Sequence, residues 1–380
     1  MTTIEKVTCP FCSLHCSDLQ LSVDGDRLLA ITPACALGES GFRLSLTNLF
    51  SQPQSELESA SALDTARDWL YEARLPLVVL SGIPENDAII TAVDLAKKFS
   101  AVLTCDEDCT GSIFGLAAQS TGFLTSTLGE MHNHSLVVLC GVDPARTHPR
   151  LGEVLEWDST DLILRLDPAN PLTAVRWLRL ACAGKGEPLP SPYAELAARF
   201  ESARSGLVIF GPEWLAAGQT LTTELQLWLR DLNRKNRWYS LYLAPAPNSN
   251  GVVEALLSIT GHPGNMHFRP DGVDYSPAIW QAERLIQQGS IDLWLLVGEP
   301  DSFTEETLNL LTQVRTILIS PNLPEWKPSI WIPCAQAGID SAGLFQRMDG
   351  VPAGLRPVLP SQRASMKDLL IKLTEEVQPA

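Results

Sequence analysis

Cys9-Pro-Phe-Cys12-Ser-Leu-His-Cys16 lies at the start of the chain, and Cys35 follows after eighteen intervening residues. Thiolates with the spacing C-x2-C-x3-C-x18-C can meet at one soft metal centre, because a tight turn between Cys9 and Cys12 points both sulfur atoms the same way. Three clustered cysteines and a distant one are typical of a four-iron cluster, whereas a zinc ribbon usually uses two C-x2-C pairs. Buried structural thiols are the third alternative, since free cysteine is often buried.

The segment between Cys16 and Cys35 is predicted to be a β-hairpin. Apolar and polar residues alternate weakly on both sides of Asp24-Gly25-Asp26, and an Asp-Gly pair between such runs is a hairpin signal. The hairpin would bring Cys35 back to the other three cysteines. Gly38 and Gly41 would then let the backbone pass close to whatever the thiolates hold.

Composition narrows the classes of function. A chain of 380 residues indicates two or three domains. The formal charge is −16, from 28 basic and 44 acidic residues, without a basic stripe, so we expect no nucleic-acid partner. We see no apolar run long enough to span a bilayer and no export signal, so we expect no membrane contact. The predicted location is cytoplasmic, where cysteines stay reduced and available to metal.

Helices and strands alternate downstream of residue 62, which predicts an α/β fold with a parallel, doubly wound sheet. Helices are indicated where apolar residues recur at three- and four-residue spacing, at 89–99 and 221–232. Short apolar runs indicate strands at 77–80, 102–104, 136–140, 162–166, 207–210, 239–243, 291–297 and 316–320.

The pattern repeats approximately along the chain. Run 207–210 resembles 77–80, and 291–297 resembles 136–140, so two Rossmann-like units would face each other across a crevice. Residues 51–61 are interpreted as a surface connection and 184–193 as a linker. We therefore predict a cysteine-rich β subdomain at 1–55, α/β units at 56–190 and 191–330, and a segment closing the crevice at 331–380.

The loops after the strands are candidate ligand contacts. Neither unit carries G-x-G-x-x-G or a phosphate loop, so an ordinary NAD or ATP site has no support. Gly141-Val-Asp143-Pro144 and Gly298-Glu299-Pro300 offer a glycine, an acid and a proline at matching places. Such loops can bind a ligand, and they are also ordinary turns. His148 lies close behind the first of them.

Two further polar clusters stand out. Cys105 and Cys109 follow a predicted strand, and a cysteine there is a candidate metal ligand or nucleophile, although many loop cysteines are neither. Glu130, His132 and His134 lack the spacing of a zinc protease, and we interpret them as helix-end or interface groups.

Four blocks resemble the B subunit of formylmethanofuran dehydrogenase, in the molybdopterin oxidoreductase superfamily, and the resemblance covers nearly the whole chain. They are the first cysteine block; Thr127-Leu-Gly-Glu130 running into Cys140-Gly-Val-Asp-Pro-Ala-Arg-Thr-His-Pro-Arg150; Ala337-Gly-Ile-Asp-Ser-Ala-Gly343; and Gln346-Arg-Met-Asp-Gly-Val-Pro352. The resemblance implies that Cys9, Cys12, Cys16 and Cys35 hold a four-iron iron-sulfur cluster. It also implies a crevice for a bis-pterin molybdenum or tungsten cofactor, with predicted contacts at Gly141, Asp143, Pro144, His148, Gly298, Gly338, Arg347 and Asp349.

In the family, a loop cysteine followed by a histidine serves the metal. Cys109 is the best match for that cysteine and is the candidate catalytic residue. Thr110 replaces the family's histidine, however, and Ser112 replaces a proline.

Bacterial relatives form a formyltransferase/hydrolase complex of tetrahydromethanopterin-dependent formaldehyde oxidation, in which a partner releases formate from a methanofuran-like carrier. The resemblance favours this interpretation, with a subunit of structural role and little redox activity. The implied partners are an amidohydrolase-like A subunit, a C subunit and a formyltransferase-type D subunit. The alternative is an active molybdenum or tungsten dehydrogenase. We see no counterpart of the superfamily's C-terminal barrel, and ten tryptophans also favour interfaces, so we expect an obligate hetero-oligomer.

Overall fold

The computed structural model describes residues 1–25, 27–51, 56–120, 127–157, 163–185, 190, 193–215, 218–299, 305–311, 313–360 and 363–375. Within them the strands are β1 (Thr2–Val7), β2 (Leu19–Asp24), β3 (Arg27–Thr32), β4 (Pro76–Leu80), β5 (Val102–Cys105), β6 (Leu136–Cys140), β7 (Ile163–Leu166), β8 (Ser205–Phe210), β9 (Arg237–Tyr242), β10 (Met266–Arg269), β11 (Gly272–Tyr275), β12 (Leu293–Val297), β13 (Arg315–Ser320), β14 (Ile330–Pro333), β15 (Gly343–Gln346) and β16 (Pro352–Leu355).

The helices of the same described residues are α1 (Ala36–Ser51), α2 (Glu56–Glu72), α3 (Asn86–Lys98), α4 (Glu107–Ser120), α5 (Pro144–Thr147), α6 (Leu151–Val154), α7 (Pro171–Cys182), α8 (Tyr193–Ser202), α9 (Pro212–Leu215), α10 (Gln219–Leu232), α11 (Ser249–Thr260), α12 (Ala282–Gln287), α13 (Glu305–Leu311) and α14 (Met366–Thr374). A 3-10 helix spans Leu128–Asn133. No helix in the described part of the chain is long and apolar enough to cross a membrane.

The chain forms two compact units that differ from the predicted segments. Unit 1 comprises Met1–Thr110, Ala246–Gln346 and Pro352–Ala380, and unit 2 comprises Gly111–Pro245 and Arg347–Val351. The predicted boundary at 190/191 would separate β4 and β5 from β12, β13 and β14, but these five strands share one sheet. The predicted segments 1–55 and 331–380 both belong to unit 1, apart from Arg347–Val351, which belong to unit 2.

Unit 1 is built on a mixed sheet with the order β11-β10-β5-β4-β12-β13-β14. The strands from β5 to β14 in this order are parallel, and β10 and β11 add an antiparallel edge. β4 and β12 are buried at every residue, as expected of parallel strands covered on both faces. The apolar side chains of α12 and α13 pack on Leu77, Val79 and Trp294, while α3 packs against α11 and α14.

The N-terminal part of unit 1 is a three-stranded antiparallel sheet, β1-β2-β3. The predicted hairpin is confirmed as β2 and β3, with Asp24 paired to Arg27 and Gly25 at a φ of 58°. Leu21 and Val23 pack with Phe42 and Leu46 of α1, so the helix after Cys35 closes this small core.

Unit 2 contains a four-stranded parallel sheet with the order β7-β6-β8-β9. Trp228 and Trp238 lie in its core with apolar residues of α7, α8 and α10. In unit 1, β5 and β12 lie on opposite sides of β4, and in unit 2, β7 and β8 lie on opposite sides of β6. Ligands of such sheets bind at the carboxyl ends of the strands where the order reverses, between β4 and β12 or between β6 and β8.

The predicted repeat matched the wrong strands. By their positions in the two sheets, β4 corresponds to β6 and β12 corresponds to β8. The apolar patterns had suggested instead that β4 corresponds to β8 and β6 to β12. The reason is physical: buried parallel strands are short apolar runs, which differ little from one another in sequence.

The two predicted connections, 51–61 and 184–193, are described only in part by the structure. Residues from Glu56 onward are helical rather than a surface connection, because Glu, Leu and Ala favour helix; residues 52–55 lie outside the described residues. Most of the predicted linker 184–193 also lies outside them, between the end of α7 and the start of α8.

Candidate functional site

The first three cysteines lie on a closed loop between β1 and β2. The Cys9 N–H donates to the Cys16 carbonyl at 2.8 Å, and the His15 N–H donates to the Cys12 carbonyl at 3.2 Å. His15 has a φ of 45°, in the left-handed region that histidine adopts more readily than most residues. The chain therefore reverses within the motif and returns Cys16 to the backbone of Cys9.

Cys35 meets this loop at the start of α1. The Gly38 N–H donates to the Cys35 Sγ at 3.3 Å. A Cβ atom at position 38 would lie 3.4 Å from the Cys35 Sγ and 3.7 Å from the Cys9 Sγ, so both sulfur atoms contact the same glycine. The predicted return of Cys35 to the cysteine loop is confirmed, and Gly38 permits the close approach.

Burial and neighbouring groups shift the pKa values of the Cys9 and Cys12 thiols, whose protons a metal would have to displace. Burial raises the pKa of Cys9, and the nearby thiols of Cys12, Cys16 and Cys35 raise it further. Burial raises the pKa of Cys12 to about 11, although N–H groups of Leu14 and His15 point to its sulfur and act in the opposite direction. These two thiols are thus protonated at neutral pH, and metal binding would release their protons.

The arrangement differs from a preformed single-ion site. In the described part of the chain, no group of three or more His, Cys, Asp or Glu side chains is placed to hold one metal ion. A zinc site requires its four ligands about 2.0–2.3 Å from the same ion. A four-iron cluster spreads its four cysteines over a larger body.

Gly338 contacts the cysteine loop directly. A Cβ atom there would lie 3.2 Å from the Pro10 Cβ and Cγ, and its φ of 82° also favours glycine. The segment is held by Asp340, whose carboxylate accepts from the Gln336 N–H at 2.6 Å and from the Arg363 guanidinium at 2.8 Å. The predicted Gly338 thus lies beside the cysteine motif, where close packing requires a glycine.

Cys109 occupies the first turn of α4 and is completely buried. Its N–H donates to the Asp106 Oδ1 at 2.9 Å, which makes Asp106 the cap of the helix. Its thiol is hydrogen-bonded to the Cys105 thiol. Burial raises the pKa of Cys109, and the adjacent Cys105 and Asp106 raise it further, so its reactive thiolate form is disfavoured.

Three histidines, His148, His262 and His267, are candidates to replace the histidine that the family places after its metal-binding cysteine, and they lie in three places. His262 precedes Pro263, whose carbonyl accepts from the Cys105 Sγ at 3.5 Å, and its ring stacks on Tyr275 at 4.4 Å. His267 contacts the Ser100 carbonyl at 3.1 Å. His148 belongs to unit 2. The His262 loop therefore reaches Cys105, the thiol partner of Cys109.

Gly298 lies where the strand order of unit 1 reverses. It follows β12 with a φ of 93°, and a Cβ atom there would lie only 2.0 Å from the Ser81 Oγ, just after β4. Ser81 is 4% exposed, and its hydroxyl has no hydrogen-bond partner among the described residues. A buried unpaired hydroxyl is costly, so this edge of the sheet offers a polar group to a ligand or water.

The start of α11 adds a second unpaired group that the sequence analysis missed. Asn250 is 1% exposed, and neither its side-chain oxygen nor its nitrogen has a partner within the described residues. The loop before it packs on the Ser81 side of the sheet, since the Asn248 N–H donates to the Gly82 carbonyl at 2.7 Å. The available signal was Asn248-Ser-Asn250-Gly, a polar run entering an apolar helix.

Four of the predicted contacts in unit 2 form one loop after β6. Gly141 has a φ of 57°, and a Cβ atom there would lie 2.4 Å from the Trp214 Cδ1. Asp143 caps α5 by accepting from the Ala145 N–H at 3.3 Å, and Pro144 is its first helical residue. The buried His148 follows, with its Nδ1 3.0 Å from the Thr147 Oγ1. The buried Trp214 N–H has no partner among the described residues.

Arg347 and Asp349 pair with each other in unit 2. The Arg347 guanidinium donates twice to the Asp349 carboxylate, at 2.7 and 2.8 Å, and the carboxylate also accepts from the Leu128 N–H at 2.7 Å. The predicted residues thus form separate groups within their units: the cysteines with Gly338, Cys109 with Cys105, Gly298 with Ser81, the Gly141 loop, and this ion pair. Their contacts with a cofactor remain predictions.

No family model matches the chain. The B subunit of the tungsten-containing formylmethanofuran dehydrogenase 2 of Methanocaldococcus jannaschii is 25% identical over 441 residues, covering 98% of this chain and 99% of the relative. The protein of the same name from Methanococcus maripaludis is 24% identical over 440 residues and covers both chains completely. This chain is similar to the B subunit of formylmethanofuran dehydrogenase over its full length.

A solved structure shares the fold. It is the X-ray crystal structure of the formyltransferase/hydrolase complex from Methylorubrum extorquens in complex with methylofuran. The likeness has a TM-score of 0.70 at 20% identity and covers 84% of this chain and 96% of that chain. The predicted family resemblance and the mixed α/β class are confirmed.

The similarity to tungsten-containing relatives raises the question of whether Cys109 fits a metal. A cysteine ligand must be a thiolate with access to the metal. Cys109 is completely buried, and its thiol is hydrogen-bonded to the Cys105 thiol. The following Thr110 hydroxyl donates to the Asp106 carbonyl at 3.0 Å. A metal could reach Cys109 in this arrangement only by displacing Cys105, and the catalytic role of Cys109 stays a prediction.

Proposed function

We propose that this chain is the B subunit of a formyltransferase/hydrolase complex that resembles formylmethanofuran dehydrogenase. Such a complex converts one-carbon units from formaldehyde to formate, with tetrahydromethanopterin and a methanofuran-like carrier. The observation that carries the proposal is the full-length similarity to formylmethanofuran dehydrogenase B subunits, together with the fold of a chain from the formyltransferase/hydrolase structure. We also propose a cytoplasmic location, which the many free cysteines support.

The role proposed for this chain is structural, with little or no redox chemistry of its own. Oxidation or reduction of a formyl group at a metal needs an accessible ligand and a nearby proton donor or acceptor. Cys109 is buried against Cys105, and Thr110 cannot titrate near neutral pH. Formyl transfer and hydrolysis would then take place on the partner subunits.

The proposed partners are an amidohydrolase-like A subunit, a C subunit and a formyltransferase-type D subunit. Exposed apolar side chains of unit 1 are available to such partners: Leu44 of α1 is 60% exposed, Leu29 of β3 51% and Ile279 49%. Such side chains are favourable in protein interfaces. The fold proposed for the chain is that of molybdopterin oxidoreductases, with a small cysteine-rich subdomain and Rossmann-like units.

The cofactor proposed for Cys9, Cys12, Cys16 and Cys35 is a four-iron cluster. The convergence of the thiols and the N–H groups aimed at Cys9 and Cys12 support it. When bound, such a cluster would transfer electrons or hold the cysteine loop and the start of α1 together. The chain's own contribution is the loop closed by the bond between Cys9 and Cys16 and by Gly38, which lets Cys35 approach.

The second candidate function is an active molybdenum or tungsten dehydrogenase. It is favoured by the tungsten-containing relatives and by the unpaired groups of Ser81 and Asn250, which could bind part of a bis-pterin cofactor. The predicted contacts Gly141, Asp143, Pro144, His148, Gly298, Gly338, Arg347 and Asp349 would belong to the same cofactor.

Metal analysis of the purified complex distinguishes the two functions. The complex should be isolated anaerobically through a tag on this chain, and its metals, pterins and subunits should be measured. The structural role predicts A-, C- and D-type partners, about four irons per chain if the quartet is loaded, and no stoichiometric molybdenum or tungsten. Abundant molybdenum or tungsten with two pterins per chain would establish the dehydrogenase instead. Stoichiometric zinc without iron would replace the proposed cluster with a zinc site.

A further inference from the structure

His15 connects two loops of unit 1 that lie far apart in the sequence. It is 2% exposed, and its Nδ1 lies 3.1 Å from the Cys9 carbonyl oxygen while its Nε2 lies 3.0 Å from the Pro247 carbonyl oxygen. The ring also packs against Phe345 with a centroid distance of 5.4 Å. One imidazole therefore spans from the cysteine motif to the loop that enters α11.

The loop on the Pro247 side carries the unpaired Asn250. Asn248, directly after Pro247, is completely buried, and its side chain donates to the Pro84 carbonyl at 2.6 Å and accepts from the Gln346 N–H at 2.7 Å. Gly251 must be glycine, since a Cβ atom there would lie 2.1 Å from the Asn248 Oδ1. Asn250 is thus placed by a loop with little freedom, and the Pro247 carbonyl is where His15 holds that loop.

We propose that His15 is a positioning residue that fixes the Pro247–Gly251 loop, and with it the Asn250 amide, to the cysteine motif. The two ring nitrogens face different loops, with Nδ1 beside the Cys9 carbonyl and Nε2 beside the Pro247 carbonyl. A neutral ring donates one N–H, and we assign it to Nε2, which donates to the Pro247 carbonyl, while Nδ1 makes only a close polar contact with Cys9. The proposal concerns unit 1 alone and goes beyond the proposed function.

Two conservative variants separate the two contacts of the ring. The asparagine amide nitrogen is as many bonds from the backbone as Nδ1, and the glutamine amide nitrogen is as many bonds away as Nε2. His15→Asn should therefore keep the contact with the Cys9 carbonyl, and His15→Gln should keep the contact with the Pro247 carbonyl. Asparagine also tolerates the left-handed backbone of position 15 better than glutamine does.

Hydrogen exchange of the intact complex, read by mass spectrometry, is the test. The reporters are peptides containing the Cys9 N–H, bonded to the Cys16 carbonyl, and the Asn248 N–H, bonded to the Gly82 carbonyl. His15→Asn should speed exchange around Asn248 by about fivefold to tenfold, the effect of one lost hydrogen bond, and leave the Cys9 peptide nearly unchanged. His15→Gln should leave exchange around Asn248 nearly unchanged, because its amide N–H still reaches the Pro247 carbonyl. His267→Gln, a control at the Ser100 carbonyl, should change neither peptide.

This difference between the two variants cannot come from lost packing, because both variants lose the imidazole ring. If both variants speed exchange around Asn248 equally, His15 only fills space and the proposal is overturned. If neither variant changes exchange around Asn248, the contact with the Pro247 carbonyl does not hold the loop and the proposal is also wrong. These outcomes do not depend on formyl transfer or metal content, so failure here leaves the proposed function standing.

Discussion

At the scale of single residues, Thr110 leaves the position after Cys109 without a group that transfers protons near neutral pH. A histidine beside a metal can take or give a proton near neutral pH, because its ordinary pKa lies close to 6.5. The Thr110 hydroxyl has no titratable proton in this range, and it donates to the Asp106 carbonyl at 3.0 Å within the first turn of α4. The proposed structural role of the chain therefore predicts that Cys109 is not needed for the reaction.

Replacing Cys109 tests this assignment on the reaction. We expect Cys109→Ala complexes to release formate from the formylated carrier at a rate within about twofold of the unchanged complex, since the reaction would occur on partner subunits. The measurement is formate release at equal concentrations of assembled complex. Cys140→Ala, at a completely buried thiol of unit 2, is the control for a small change in volume. A large loss for Cys109→Ala alone, with assembly intact, would restore a catalytic centre to this chain.

His134 predicts a pH dependence of stability. It is buried against Tyr239 with a centroid distance of 5.0 Å, and burial lowers the pKa of His134 to about 4. Between about pH 6.5 and pH 4 the unfolded chain binds a proton there that the folded chain does not, so stability falls as the pH falls. The loss from this residue should reach about 2–3 kcal/mol near pH 4.

Urea unfolding at pH 7.0, 5.5 and 4.5 measures the effect. His134→Phe keeps an aromatic ring on Tyr239 and cannot titrate, so its stability should fall less between pH 7.0 and pH 4.5 than that of the unchanged protein. The comparison removes the contribution of all other titrating groups, provided both proteins unfold in one transition. Parallel losses in the two proteins would show that His134 is not a source of the pH dependence.

At the scale of elements, α4 packs on β9 through glycine. A Cβ atom at Gly115 would lie 2.4 Å from three ring carbons of Tyr242, whereas one at Gly111, a turn earlier, would lie 3.5 Å from the Tyr242 hydroxyl oxygen. Gly115→Ala should thus destabilise unit 2 by about 1–3 kcal/mol through overpacking. Gly111→Ala should be neutral or stabilise by up to about 1 kcal/mol, because alanine favours helix. Thermal unfolding of both variants checks the prediction, and equal effects would contradict it.

The elements also show which parts of the fold the sequence could reveal. Asp24-Gly25 predicted the β2–β3 hairpin because a turn is specified locally. The burial of β4, β6 and β12 was visible as apolar runs, but such runs do not specify their neighbours, so the sheet order was not predictable. β1 escaped prediction because Thr2–Val7 is mostly polar and exposed. Asn250 escaped because the polar run Asn248-Ser-Asn250-Gly does not reveal which of its side chains is buried without a partner.

At the scale of the whole molecule, the cysteine motif should affect assembly. Cys9 is 4% exposed and belongs to the core of the N-terminal sheet, next to α1 with its exposed Leu44. We expect Cys9→Ala to lower both the iron content and the yield of assembled complex at least several-fold, because one of four ligands of a folding-coupled site is lost. Cys182→Ala, at a half-buried thiol of unit 2, should affect neither.

Co-purification of a tagged chain with its partners measures that yield. Full assembly of Cys9→Ala with its iron lost would mean that the cluster is not needed for the architecture. A stable monomer that ignores co-expressed partners would contradict the hetero-oligomer altogether.

The interrupted path of unit 1 has a consequence for synthesis on the ribosome. The chain leaves unit 1 after Thr110 and returns at Ala246, and Leu77 of β4 pairs with Trp294 of β12. During translation β4 and β5 therefore emerge long before the strand that covers their open edge, and unpaired apolar edges favour aggregation. Most of unit 2 is complete by Pro245. While unit 2 folds, the nascent chain thus contains β4 and β5 without β12. At this stage a chaperone would protect the unpaired edge of β4.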